Sequence, residues 1–335
     1  MRLMMNRNHL SPPFLPHPDR SVLSISGGDR IAFLQGLITA DLKGERPASA
    51  GRASAAVPHQ TGDWAPVAAT PCNWSALLTP QGRIEALFFV FSTPDALLID
   101  VPASVAQALQ QRLQRFRLRA DVVLAMTDLQ VITGLAELSP QSGHCLFPAT
   151  ALPALQAIAP DPRTPQAGLR ALVSPDFPAN LTTPDRPPET WQSRRLKLGL
   201  PEWEDIEPGR TLALEADLDC LGGVSWTKGC YMGQEVTART HYRGLLKRRL
   251  IPVELDEGEF PTLPENLPLV LDGREVGEVR SRLGKRGIAL LHRTAWGNET
   301  LKLADGRNVR SPWPAWLPDF SPASSDAAPA GVPTP

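Results

Sequence analysis

Proline is the residue that most restricts how this chain can fold. The sequence has 35 prolines in 335 residues, and they gather at both ends and in two internal stretches. Because proline lacks a backbone donor and has a fixed φ, it breaks helices and is kept out of central strands. The proline-rich stretches are therefore predicted to be tails and connections. They are a disordered tail at 1–20, an inserted loop at 43–75, a connection at 159–188 and a disordered tail at 316–335.

Between these stretches the apolar pattern predicts strands that alternate with helices. Val105, Leu109 and Leu113 form one helical face within 104–118, whose other side is rich in glutamine and arginine. Strand-like runs lie on both sides of this helix, at 84–91, 97–101, 121–126 and 130–135. Strands interleaved with helices indicate an α+β fold, and we predict one such domain over 21–245.

From residue 246 onward the pattern changes to short strands with tight turns. Asp272-Gly273 and Asp305-Gly306 each stand between two strand-like runs. Asp-Gly is a strong hairpin signal, since both central positions of a type I′ turn need a positive φ. Several short strands joined in this way indicate a small C-terminal β-barrel, which we place at 246–315.

Charge and hydropathy argue against several classes of function. The net charge of −1 is unlike that of a protein that coats nucleic acid. No apolar run reaches the ~20 residues that a membrane-spanning helix needs. We therefore expect neither a nucleic-acid partner nor a membrane. The N-terminal stretch lacks the continuous apolar region of an export signal, so a cytoplasmic location is predicted.

The four cysteines do not form a metal-binding pattern. They are Cys72, Cys145, Cys220 and Cys230, and no two of them make a Cys-x-x-Cys pair or have zinc-site spacing. An iron–sulfur cluster held by one chain needs about four thiolates. The scattered cysteines therefore predict a reduced protein with no metal site and no stable cluster of its own.

The stretch 226–244, with the sequence WTKGCYMGQEVTARTHYRG, is the one most indicative of chemistry. Gly229 and Gly233 flank Cys230, which allows a tight turn and leaves the thiol accessible. A helix is predicted to begin at Gln234. The thiol is therefore expected at the surface, immediately before a helix.

Two positive charges favour the thiolate form of Cys230. Lys228 is two residues away, and the N-terminus of the following helix carries the positive end of its dipole. Both would lower the pKa of the Cys230 thiol, and the thiolate is the reactive form. We therefore predict Cys230 as the catalytic thiol, with Lys228 assisting it. The supporting residues are predicted to be Gly229, Tyr231, Gly233, Gln234, Glu235 and Arg239, with Glu235 and Arg239 as an i,i+4 pair.

Cys230 and the polar residues that follow it each have an alternative role that the sequence leaves open. Cys230 could pack as a small apolar residue inside the turn, as most free cysteines do. His241 could be a metal ligand or proton carrier, or a histidine that only forms hydrogen bonds. The basic run 247–249 could meet an acidic ligand or simply form a solvated face of the barrel.

The run Lys228-Gly229-Cys230-Tyr231-Met232-Gly233-Gln234-Glu235 resembles the signature of the YgfZ-type folate-binding proteins, relatives of the glycine-cleavage T-protein. Its continuation, 237–241 and 247–250, is most similar to the branch that contains the mitochondrial iron–sulfur assembly factor. Further stretches agree in the same order, namely 33–36, 78–83, 195–201 and 214–218. The resemblance covers roughly 21–315.

That resemblance implies both a fold and a function. It implies an α+β fold with a T-protein-like, multi-lobed folate-binding domain of ferredoxin-like sheet lobes, followed by the small barrel. It also implies that tetrahydrofolate binds in a central channel. The implied role is to support the assembly or repair of iron–sulfur proteins, so the expected partners are client proteins or the assembly machinery.

Two departures from the T-protein pattern affect the choice of function. The two acids of its Gly-Gly-x-x-Asp-Asp-Leu motif correspond here to Glu85 and Ala86, so one acid is missing. Its pterin-binding glutamate corresponds to Lys197, and a cation cannot accept the hydrogen bonds of a pterin. Either the pterin sits differently, or another acid such as Glu215 accepts them. With Trp226 as a stacking surface, these residues are the predicted folate contacts.

Three hypotheses follow from the sequence and the resemblance. The first is a folate-dependent accessory factor for iron–sulfur proteins that uses Cys230. The second is a true one-carbon transferase, which the lost acid makes a poor match for the glycine-cleavage reaction. The third is an adaptor that binds partners without folate and in which Cys230 is structural.

Overall fold

The computed structural model describes residues 14–44, 64–134, 144–182, 190–263 and 266–318. In these ranges the strands form a five-stranded sheet, a four-stranded sheet, a two-stranded pair and a closed barrel. The predicted α+β fold with a C-terminal barrel is confirmed. None of the helices in these ranges combines the length and the apolar character that crossing a bilayer requires.

Most helices and sheet strands precede the barrel. In chain order they are β1 (Phe14–Pro16), β2 (Arg20–Ser26), α1 (Arg30–Gln35), β3 (Trp64–Ala68), β4 (Cys72–Leu78), β5 (Ile84–Ser92), β6 (Ala96–Pro102), α2 (Ala103–Phe116), β7 (Val123–Met126), β8 (Gln130–Gly134), β9 (His144–Pro148), β10 (Leu155–Pro160), β11 (Leu169–Val173), α3 (Trp191–Leu198) and α4 (Gln234–Tyr242). Short 3₁₀ turns join some of them.

The five-stranded sheet has the strand order β4-β5-β6-β2-β7. Helix α2 packs on one face through Ala106, Leu109 and Leu113, the face that the sequence predicts. The other face is buried against β10, β11, α3 and part of the barrel. Because both faces are covered, β5 is apolar almost throughout rather than alternating.

The four-stranded sheet has the order β1-β8-β11-β10, and β3 pairs with β9 beside it. Their shared core contains the aromatic rings of Phe14, Phe147 and Phe177. Phe14 is fully buried, and its ring centroid lies 5.2 Å from that of Phe147. The N-terminal strand therefore belongs to the folded body.

The barrel closes in the order β12-β15-β14-β13-β16-β17. Its strands are β12 (Arg248–Leu255), β13 (Leu267–Leu271), β14 (Arg274–Leu283), β15 (Arg286–His292), β16 (Leu301–Leu303) and β17 (Asn308–Arg310). Asp272 and Gly273 both have positive φ, 50° and 76°, as the predicted two-residue hairpin needs. The Asp305-Gly306 hairpin also forms, but only Gly306 has a positive φ because that loop is longer.

A charged cluster is buried where the two sheets and α3 meet. Arg170 donates to Asp100 at 2.6 Å, and Arg163 lies 3.0 Å from Glu202. Arg20 contacts both acids, and all these side chains are almost completely buried. The guanidinium groups also lie over aromatic rings, that of Arg170 4.0 Å from the Phe89 centroid. The cluster ties together elements far apart in the sequence.

The structure corrects the predicted tails. The disordered tail at 1–20 is wrong from Phe14 onward, since Phe14–Pro16 pairs with β8. The tail at 316–335 is wrong at its start, because Trp316 donates its indole N–H to the Leu198 carbonyl at 2.8 Å and Leu317 is buried. In both cases a few aromatic or aliphatic side chains anchor a proline-rich end. Residues 1–13 and 319–335 lie outside the described ranges.

The structure also corrects the two predicted connections. The stretch 43–75 includes β3 and the start of β4, and 159–188 includes β11, which is buried over its whole length. Of the described prolines in these stretches, Pro160 ends β10 and Pro66 lies on the short β3–β9 pair, where a missing donor is tolerated. Short strands buried on both faces show no alternation in sequence. Residues 45–63 and 183–189 lie outside the described ranges.

Candidate functional site

The cysteine turn is held against the start of α4 by close backbone packing. Gly233 has a left-handed φ of 80° and caps α4. A Cβ there would lie 2.5 Å from the Thr79 carbonyl oxygen, so the position requires glycine. Gly82, in the same β4–β5 turn as Thr79, packs against Val236. The two sequence landmarks, 78–83 and 228–235, therefore meet in space.

Cys230 is the one exposed cysteine of the four, all of which the structure describes. Cys72 and Cys145 are buried, and Cys220 is half-buried. Burial raises the pKa of the Cys145 thiol to about 11, and burial also raises the pKa of the Cys220 thiol. Deprotonating Cys145 would place a thiolate in an apolar interior. Cys230 is therefore the thiol most accessible to solvent and to a partner.

Lys228 is bound to the end of α1. Its Nζ donates to the carbonyl oxygens of Gln35, Ile38 and Ala40 at 2.6, 2.7 and 2.7 Å. Burial lowers the pKa of Lys228 to about 8, while Asp41 opposes that shift. The ammonium thus ties the cysteine turn to the first helix, a structural role that sequence reasoning missed. Its predicted action on the Cys230 thiol stays a prediction.

The predicted supporting residues have different surroundings. The Tyr231 ring packs in the core, and burial raises the pKa of its hydroxyl to about 12. Gly229 has open space where a Cβ would stand, so it is not sterically required. Gln234 begins α4. Glu235 and Arg239 are both described and exposed, but no ion pair joins them.

The far end of α4 carries an aromatic cluster. The Trp226 ring stacks on His241 with centroids 4.1 Å apart at 22°, and Tyr242 meets both rings edge-on. The Nδ1 atom of His241 lies 3.9 Å from an Asp219 oxygen. His241 therefore covers one face of Trp226, the residue predicted to stack on a pterin.

A further buried arginine, Arg249, holds the loop beside this end of the helix. Arg249 at the start of the barrel donates to the Leu214 carbonyl at 2.9 Å and to Asp217 at 2.8 Å. It also donates to Asp219 at 2.7 Å. The 214–218 landmark is thus a loop fixed to the barrel. Sequence reasoning noted the basic run 247–249 but not this use of it.

The four predicted folate contacts do not converge on one cavity. Glu215 binds Arg248 and the Leu212 amide N–H. Glu85 forms an ion pair with Arg112 of α2, on the helix-covered side of the sheet. Lys197 is exposed on α3.

Two cavities lie in the described part, and neither is lined by any of these residues. A gap beside Gly82, Leu212 and Thr237 has no room for a water molecule. An open groove of about 590 Å³ lies along α2, and none of the four residues lines it. These residues do not fit a folate as they stand, and folate binding stays a prediction of the resemblance.

The described ranges also contain no group of three or more histidine, cysteine or acidic side chains placed to hold a metal ion. Near Cys230 the chain offers one thiol. Any cluster that Cys230 binds must therefore take its other ligands from elsewhere.

Comparisons with other proteins agree with this architecture. A family model described as "CAF17, C-terminal beta-barrel domain" matches residues 247–319. The crystal structure of glycine cleavage system aminomethyltransferase T from Bartonella henselae superposes with a TM-score of 0.62, covering 92% of this chain and 88% of that one at 13% identity. At this identity the likeness shows the fold alone, and it confirms the predicted T-protein-like architecture.

Curated relatives share more of the sequence. The mitochondrial iron–sulfur cluster assembly factor IBA57 of Homo sapiens is 32% identical over 320 residues, 90% of this chain and 84% of the human protein. The Mus musculus protein is 29% identical, covering 91% and 84%. The Neurospora crassa homologue is 30% identical over 273 residues, covering 76% and 57%.

These relatives correct the predicted cytoplasmic location, which is wrong. All three are named as mitochondrial proteins. The prediction rested on a missing export signal and on free cysteines. Both features only separate oxidising compartments from the rest, and they do not distinguish the cytoplasm from an organelle.

The human relative shows which family this chain belongs to. Its similarity extends over nine-tenths of this chain and 84% of its own length, so it includes the sheet domain as well as the barrel. The chain belongs to the family of the iron–sulfur cluster assembly factor IBA57.

Proposed function

We propose that this protein is an accessory factor in iron–sulfur cluster assembly and that Cys230 gives its thiolate to iron carried by a partner protein. The observation that carries this proposal is the position of Cys230. It is the one exposed cysteine of the four and stands on a turn that Gly233 and Lys228 hold in place. The family of assembly factors supplies the context.

The chemistry is a ligand exchange. Thiolates are the usual protein ligands of iron–sulfur clusters. The Cys230 thiol loses its proton to solvent as its sulfur binds iron, and the ligand that it replaces leaves with the electron pair of its own bond. No electron transfer is needed. Since one chain offers a single thiol here, the partner from the assembly machinery must hold the remaining coordination positions.

A deletion strain complemented with point variants tests this proposal. Cys230→Ala should preserve the fold, since the side chain is exposed, but should fail to restore the activity of iron–sulfur enzymes. Cys220→Ala is the matched control and should restore it. Full rescue by Cys230→Ala would defeat the assigned role, whereas equal failure of both variants would point to a general loss of stability.

The one-carbon transferase is not favoured by any contact in the site. Its remaining acid, Glu85, is engaged by Arg112. Calorimetric titration with tetrahydrofolate separates the alternatives. Saturable heat that disappears in Glu85→Ala would favour a transferase. Saturable heat that Glu85→Ala leaves unchanged would agree with a folate-dependent accessory factor whose ligand sits elsewhere, and no heat would agree with a factor that works without folate.

A further inference from the structure

The five-stranded sheet ends in a strand with one open edge. Among the described residues, β7 pairs with β2 alone. The Thr127 amide donates to the Val22 carbonyl at 3.0 Å, and alternation in an antiparallel ladder then turns Leu124 and Met126 outward. The Leu124 carbonyl does point away from β2, because it accepts a hydrogen bond from the side-chain amide of Gln110 at 3.1 Å. The Leu124 amide and the Met126 amide and carbonyl therefore face away from β2 with no partner strand in the described part of the chain.

A groove runs along this edge. It has a volume of about 590 Å³ and lies between α2 and β7. Its lining residues are Gln110, Gln111, Gln114, Arg115 and Leu124.

Apolar side chains are exposed on β7 and in the turn before it. Val123 is 56% exposed and Met126 41%. Leu118, in the turn between α2 and β7, is 89% exposed with a left-handed φ of 44°. Apolar side chains next to an open strand edge are a combination that proteins usually avoid.

The charge of this face defines what it can bind. Residues 103–128 contain four arginines and two acids, Asp121 and Asp128, so the face has a net positive charge. Arg112 is paired with Glu85, but in the described part of the chain no carboxylate lies within ion-pair distance of Arg115, Arg117 or Arg119. If a second copy of this chain paired with this edge, its arginines would lie near the same arginines of the first copy, and the like charges would repel one another. The face is complementary to an acidic partner.

We infer that the open edge of β7 binds an extended, acidic segment of a partner protein as a sixth strand. Backbone hydrogen bonds to the Leu124 amide and to both backbone groups of Met126 hold the segment, which is the way strand addition gains affinity. Its acidic side chains meet the arginines at the end of α2, and alternate apolar side chains pack on Leu124 and Met126. This surface is separate from the cysteine turn, so the inference does not depend on the function of Cys230.

Selection from a displayed library of random dodecapeptides tests the inference on the full-length protein. We expect enrichment of sequences in which acidic and apolar residues alternate. The selected peptide should bind at least tenfold more weakly to Met126→Pro, which removes an outward N–H but no bond to β2. Arg115→Glu should weaken it similarly. The matched control, Arg274→Glu, changes an exposed arginine on the barrel and should have no effect.

The remaining outcomes overturn the inference. One is a selection that yields no peptide sensitive to Met126→Pro. Another is a peptide whose affinity is unchanged by Arg115→Glu. A third is a concentration-dependent dimer in sedimentation that Met126→Pro abolishes, because the edge would then pair with a second copy. The circular dichroism spectrum of each variant must match that of the unmodified protein, which shows that the variant is folded.

Discussion

The two glycines beside Cys230 look equivalent in the sequence, yet the structure gives them different roles. Gly233 has a left-handed φ and no space for a side chain, whereas Gly229 has open space around it. Gly233→Ala should therefore lower the free energy of unfolding by at least about 2 kcal/mol, from strain and overlap with the Thr79 carbonyl. Gly229→Ala should change it little. Urea denaturation measures both, and equal losses would contradict this assignment.

Lys228 is the residue whose structural contacts were least visible in the sequence. Lys228→Met should lower the free energy of unfolding by about 2 kcal/mol, because three buried carbonyls lose a charged donor. Lys197→Met, at an exposed lysine, is the control and should be neutral. If the two variants unfold at the same denaturant concentration, the three hydrogen bonds do not stabilise the turn.

At this scale the sequence singled out the cysteine that is exposed in the structure, but not the contacts that hold its turn. A thiol between two glycines before a helix can be recognised from neighbouring residues. The partners of Lys228 are backbone carbonyls about 190 positions away. Because every residue has a backbone carbonyl, the sequence does not indicate which ones bind the lysine. The same holds for Glu85 and Glu215, whose arginine partners decide what these acids can still bind.

At the scale of elements, the sequence predicted an amphipathic helix face and a hairpin turn correctly, but it did not predict a strand that is buried on both faces. The amphipathic face of α2 and the Asp272-Gly273 turn can be recognised from residues close together in the sequence, and both are present. β11 was missed because its run Leu-Arg-Ala-Leu-Val has no alternation and follows several prolines. Its arginine is the buried Arg170, which is paired with an acid on another sheet. Only the assembled sheets account for that residue.

At the scale of the whole molecule, buried charge links the sheets. Burial by itself raises the pKa of Glu202, but the attraction of Arg163, Arg20 and Arg170 outweighs it and holds the pKa at about 2. The unfolded chain has the ordinary value of 4.5. The stabilisation is therefore complete above about pH 4.5 and is lost as the pH falls toward 2.

That shift predicts how stability depends on pH. A displacement from 4.5 to about 2 corresponds to a contribution of about 3 kcal/mol. Between pH 6 and pH 3, Glu202→Gln should show a smaller loss in the free energy of unfolding than the unmodified protein, while being less stable at pH 7. Glu257→Gln, at an exposed acid, should retain the full pH dependence. An unchanged slope in Glu202→Gln would show that the cluster does not couple folding to this proton.

The central claim is that the sulfur of Cys230 binds partner-held iron, and cluster occupancy of a client enzyme tests it most directly. The measurement is the iron and sulfide content, with the visible absorption, of an iron–sulfur enzyme purified from cells in which Cys230→Ser replaces the normal protein. Serine keeps the size and exposure of the side chain but does not ionise at neutral pH. We predict that the client is recovered largely without its cluster. A client with its full complement of iron and sulfide would contradict the account.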